Sequence, residues 1–114
     1  MVSAKKVENA QEKNIVVTSC NDEKVLLVEV LANQKLVYKL IESEYDNEDS
    51  KTLCYGIEIE CSLFGSMEIG KCLNITSKFD LAKELFDMLC ANLVTPISLK
   101  DIVEDFVTQK YSYN

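Results

Sequence analysis

The sequence predicts an α+β protein: an antiparallel β-meander of four to five strands followed by two C-terminal helices packed on one sheet face. Three observations carry that class. Runs of β-branched and alternating apolar residues fill the first two-thirds of the chain. Polar turn residues interrupt these runs at short intervals. After residue 76 the apolar period changes from two to between three and four. A chain of 114 residues, 47% apolar and 27% charged, suits one folded core and not two. The organisation that follows is a flexible N-terminal segment, 1–13, polar and aperiodic, ahead of a single α+β domain, 14–114.

"NIVVTSC" at 14–20 and "KVLLVEVL" at 24–31 read as a hairpin turning at Asn21-Asp22. A second turn, around Asn33, leads into "KLVYKLIESEY" at 35–45, where Leu36, Tyr38 and Leu40 share one face and Val37 and Ile41 the other. The acidic break "DNEDSK" at 46–51 precedes the cleanest alternation in the chain, with Tyr55, Ile57, Ile59, Cys61 and Leu63 on one face and Gly56, Glu58, Glu60 and Ser62 on the other. The next strand, 66–75, alternates as Met67, Ile69, Leu73 and Ile75, with Lys71 out of character. A two-residue loop at Gly65-Ser66 would set an apolar face beside a polar one. A three-residue loop, Phe64-Gly65-Ser66, is therefore preferred; it pairs Cys61 with Ile69 and Ile57 with Leu73, and it puts Cys61 and Cys72 on opposite faces.

Ser77 is the expected cap of a helix over 78–93 whose polar stripe is Asp80, Lys83, Glu84 and Asp87. Its remaining positions are so widely apolar that more than one neighbour must cover them. In "VTPISLKDIVEDF", 94–106, Pro96 halts the preceding segment, and Ser98 with Asp101 outlines a capping box for a last helix over 98–110 that begins at Leu99. Leu99, Ile102, Val103, Phe106 and Val107 form its buried face; Lys100, Asp101, Glu104, Asp105 and Thr108 form its outer one.

The net charge is −7, and all twelve basic residues are lysine. That balance disfavours nucleic acid and anionic membrane as partners, and it removes the planar guanidinium that reads guanine or clamps phosphate. No secretory h-region follows the two early lysines and nothing approaches a spanning segment, so the expected compartment is the cytoplasm and the Asn74-Ile75-Thr76 sequon carries no weight. Cys20, Cys54, Cys61, Cys72 and Cys90 are an odd number without CxxC, and the chain has no histidine. They read as free, buried thiols and not as a zinc site or a disulfide framework. Without histidine, a glycine-rich phosphate loop or a nucleophile elbow, no catalytic residue can be named, and the expectation leans away from an enzyme.

The acids are what remains. Glu42, Glu44, Asp46, Glu48, Asp49, Glu58 and Glu60 crowd one region against Lys51 alone. As a calcium loop from Asp46 it fails, because Lys51 stands where glycine is needed and Ile57 where the bidentate glutamate belongs. Glu42, Glu44, Asp46, Glu58 and Glu60 are kept as the weaker alternative, the site of a small-ligand or divalent-cation binding protein, with a cation-assisted hydrolase as one form of it. Otherwise no cofactor or metal is expected. The better use of acidic surface is docking of a protein partner, with Glu58, Glu60, Asp101, Glu104 and Asp105 as candidate contact residues. Surplus apolar residues on the second strand face, Val25, Leu27, Leu31, Val37 and Ile41, point to self-association as a homodimer.

"YGIEIE" at 55–60 and "VTPISLKDIVEDF" at 94–106 resemble the short motifs of a small family of uncharacterised bacterial proteins known only as a domain of unknown function. The resemblance covers about residues 24–108 and implies a small cytoplasmic accessory protein, with no activity, cofactor or catalytic residue to carry over. The expected function is a non-enzymatic protein-interaction or regulatory module.

Overall fold

The computed structural model describes residues 20–46, 50–63 and 65–112. Four strands, β1 (Cys20–Leu31), β2 (Leu36–Asp46), β3 (Lys51–Cys61) and β4 (Glu68–Thr76), precede two helices, α1 (Phe79–Ala91) and α2 (Pro96–Ser112). The strands pair antiparallel in the order β1-β2-β3-β4, so each strand lies beside its neighbour in sequence. This is the expected meander and helix pair. The segment 1–13, all but the last residue of the strand expected over 14–20, residues 47–49 and Phe64 lie outside the described residues. Among those described, no helix is long and apolar enough to cross a membrane.

The core lies between one sheet face and the helices. Leu36, Tyr38 and Leu40 of β2 and Tyr55, Ile57, Ile59 and Cys61 of β3 are buried there against Ala82, Leu85, Phe86 and Leu89 of α1 and Leu99 and Val103 of α2. The strict alternation in β3 explains why it sits centrally with one complete apolar face. Tyr55 meets Phe79 edge to face, with ring centroids 5.6 Å apart. The Tyr38 hydroxyl donates to the Val94 carbonyl at 2.7 Å, which pins the α1–α2 connection to the sheet.

Irregular pairing changes several expected placements. No turn occurs at Asn21-Asp22: β1 runs through it, and a register shift between Cys20 and Asp22 absorbs the extra residue. A second shift between Val25 and Leu27 reverses the parity of the strand. Leu27 and Leu31 therefore pack against the core, opposite Leu40 and Leu36, while Val25, Val28 and Val30 lie exposed on the other face. A bulge of this kind is invisible to an alternation argument, because it adds one residue without adding a face.

The β3–β4 register also differs from expectation. Cys61 pairs with Glu68, Ile59 with Gly70 and Ile57 with Cys72, and the connection spans residues 62–67 and not three residues. Met67 and Ile69 are consequently exposed. Lys71 is no misfit, because it lies opposite Glu58. Cys61 and Cys72 share the helix-side face but stand apart along it, and Cys54, Cys61, Cys72 and Cys90 are free thiols. Gly65 does adopt the left-handed conformation, φ +89°.

The face away from the helices is curled inward. The Lys71 ammonium of one edge strand, β4, meets the Glu23 carboxylate of the other, β1, at 2.9 Å. Ile41 and Ser43, both on this face, are 2% and 1% exposed. Gly56 belongs to it too: a β-carbon there would come within 2.7 Å of the Leu73 Cα, because β4 folds over it beside Asn74, which has φ +60°. The glycine of "YGIEIE" is thus required by close backbone approach.

Both helices start differently from the expected caps. Lys78, not Ser77, occupies the cap position of α1, with no side-chain cap bond; the Thr76 hydroxyl instead accepts the Lys78 N–H at 3.1 Å. Helix α2 begins at Pro96, two residues before Ser98, so Ser98 is no cap and Asp101 lies beyond the first turn. Proline suits that first position because its missing N–H would lack an intrahelical partner anyway. The end of α1 is a Schellman turn: Val94 N–H reaches the Leu89 carbonyl at 3.1 Å and Leu93 N–H the Cys90 carbonyl at 3.2 Å. Leu93 holds the left-handed position with φ +51°, where glycine is usual.

Candidate functional site

A groove of about 670 Å³ lies between β4 and α2. One wall is five consecutive strand residues, Lys71 to Ile75. The other is Lys100, Val103, Glu104, Val107 and Thr108, which recur at three and four and so form one stripe of the helix. Contacts fix both ends. A β-carbon on Gly70 would lie 2.9 Å from the Pro96 carbonyl oxygen, so glycine lets the start of α2 rest on the strand. At the far end the Thr76 and Tyr111 hydroxyls share a hydrogen bond of 2.6 Å. Helix and strand therefore run in the same direction, and the rises of about 1.5 and 3.3 Å per residue match the fifteen helical steps to the six strand steps between these contacts.

The groove has an apolar floor and a charged rim. Cys72, Ile75, Val103 and Val107 supply the floor; each is buried or half-buried. Lys100 is exposed and, among the described residues, forms no salt bridge, whereas Lys71 is held by Glu23 at 2.9 Å and Glu58 at 3.9 Å. β4 is the last strand of the described sheet, so its outer edge pairs with no strand there. Burial pushes the Cys72 thiol up, with Lys100 opposing the effect, so this cysteine is a weak nucleophile at neutral pH.

The five acids expected to contact a partner fall on separate surfaces. Asp101 and Asp105 are exposed on α2, and Glu104 alone lines the groove. Glu58 and Glu60 lie on the curled face, where Lys39 donates to Glu60 at 2.8 Å and stands 3.7 Å from Glu58. Glu23, Lys71, Glu58, Lys39 and Glu60 form a ladder of alternating charge contributed by all four strands. Desolvation, with Glu60 alongside, raises the Glu58 pKa; the Lys39 hydrogen bond lowers that of Glu60; and the same bond raises Lys39.

The acids of the cation alternative are divided likewise. Glu42 and Glu44 share the helix-side parity of β2, Glu58 and Glu60 point from the opposite face of β3, and the Asp46 side chain lies outside the described residues. Among the described residues no three of His, Cys, Asp and Glu converge as metal ligands. Two further groups are held protonated at neutral pH. Burial raises Cys90 to about 11 and Tyr38 to about 12.

Lys100, Val103 and Val107 were legible only as two faces of a helix. Nothing in the sequence says that α2 runs beside the outer edge of β4, because that follows from the β3–β4 register and from Gly70 meeting Pro96.

No curated protein and no solved structure is significantly similar to the chain. A family model described as Family of unknown function (DUF6514) matches residues 18–109, and the chain belongs to that family.

Proposed function

We propose that this protein is a small cytoplasmic, non-enzymatic interaction module whose β4–α2 groove receives an extended segment of a partner protein. The observation that supports this reading is the juxtaposition of the outer edge of β4, unpaired among the described residues, with a helix stripe over an apolar floor. An added strand gains main-chain hydrogen bonds from β4, while its alternate side chains enter the space between Ile75, Val103 and Val107. Lys100 favours a segment that carries a carboxylate at that end, and Glu104 disfavours one further along. The perturbed ionisable groups favour no reaction, because burial holds Cys72, Cys90 and Tyr38 protonated.

The test places a photo-crosslinking residue at Thr108, in the groove, and in a second protein at Asp80, on α1 outside it. The expected outcome is adducts from Thr108 that map to one partner segment and are absent from the Asp80 control. In the reconstituted complex, amides of residues 71–75 should gain protection from exchange. No adduct above the control at ordinary and low salt would overturn the proposal.

A further inference from the structure

The opposite edge of the sheet carries its own signal. β1 is unpaired on its outer side within the described sheet, and the bulge between Val25 and Leu27 gives it an unusual symmetry. Lys24 and Glu29 share the helix-side face, opposite Glu42 and Tyr38; Val25 and Val28 share the other face, opposite Ile41 and Lys39. Read outward from Leu26-Leu27, the strand therefore presents valine and then a charge in both directions, with opposite charges at the two ends. In a regular strand these residues would differ in face, since 24 and 29 are five apart. The extra residue brings them into line.

We infer that β1 is a self-association edge, on which a second copy of this chain pairs antiparallel about a two-fold axis through Leu26 and Leu27. Lys24 then lies opposite Glu29 of the other copy, and Glu29 opposite its Lys24. Val25 lies opposite Val28, twice. All four contacts join side chains of the same face, as antiparallel pairing demands. The two-fold axis makes each contact count twice, so the edge is self-complementary in charge as well as in shape. Among the described residues, neither Lys24 nor Glu29 forms a salt bridge within the chain. Val25 and Val28 are 49% and 54% exposed, and pairing removes this apolar surface from water. The joined sheets form one continuous sheet, with the β4–α2 grooves at its two far ends. This inference is independent of the groove's function.

Light scattering of the full chain, with three variants beside the wild type, tests it. The wild-type mass at micromolar concentration should be about twice 12.9 kDa. Lys24→Glu sets glutamate against Glu29 of the other copy, and Glu29→Lys sets lysine against Lys24; each should shift the mass to one chain. Combining Lys24→Glu with Glu29→Lys reverses both signs and should restore the dimer. Circular dichroism controls for folding, as both substituted positions are exposed. A wild-type monomer, a dimer that withstands both single changes, or a double variant that stays monomeric would overturn the proposal.

Discussion

The Tyr38 phenol is fully buried and donates to the Val94 carbonyl, so its removal leaves an acceptor without a donor beneath the α1–α2 connection. Tyr38→Phe is expected to cost about 1–3 kcal/mol in denaturant unfolding. The same residue sets an alkaline limit. Burial raises its pKa from near 10 to about 12, so the folded state holds this proton more tightly than the unfolded state. Its contribution is fully present below pH 10 and is lost as pH rises towards about 12. The wild type should lose stability over that window, and Tyr38→Phe should show a shallower loss. Two backbone positions have opposite expectations. Leu93 spends a left-handed conformation on a branched side chain that is half exposed, so Leu93→Gly should stabilise by about 0.5–1 kcal/mol. Gly56 has backbone where a β-carbon would stand, so Gly56→Ala should destabilise by about 1–3 kcal/mol or more. Thermal unfolding of the two variants on one scale checks both signs.

At the scale of elements, the charge ladder on the curled face is the feature most exposed to pH. Lys39 holds Glu60 below the usual carboxylate range, a stabilisation present above that range and lost as pH falls through the lowered value. Glu58 has the reverse sign: its raised pKa favours the fold at low pH and withdraws support as it ionises. Lys39→Met leaves both carboxylates side by side. The expected penalty is about 1 kcal/mol near pH 7, shrinking towards pH 3 as the carboxylates take up protons. An equal penalty at both pH values would assign it to packing. The strands and helices themselves were legible. Tyr55, Ile57, Ile59 and Cys61 announced a core face by alternation, and Leu99 and Val103 did so by helical spacing. What escaped was the relation between elements. Parity in β1 depends on the bulge at Leu26, and the β3–β4 register depends on β4 folding over Gly56, neither of which alternation encodes. The start of α2 differs from the capping-box expectation because Pro96 stops one segment and opens the next with the same fixed φ.

For the whole molecule, the sheet separates the acids that lie close together in sequence. With Glu42 and Glu44 on one side and the lysine-neutralised Glu58 and Glu60 on the other, millimolar magnesium, calcium or manganese should leave the melting temperature unchanged. A saturable rise with one ion would reveal a site. The candidate groove was not legible in the sequence, since its walls come from segments separated by 25 or more residues, brought together at contacts such as Gly70–Pro96 and Thr76–Tyr111. The Tyr38–Val94 bond reaches further still, across 56 positions. Each strand, by contrast, pairs with its neighbour in sequence, so the sheet can zip hairpin by hairpin with little loop closure. A contact of such long separation belongs after the rate-limiting step. Tyr38→Phe should therefore speed unfolding and leave the refolding rate almost untouched, making this hydroxyl a latch on the finished protein and no part of its nucleus.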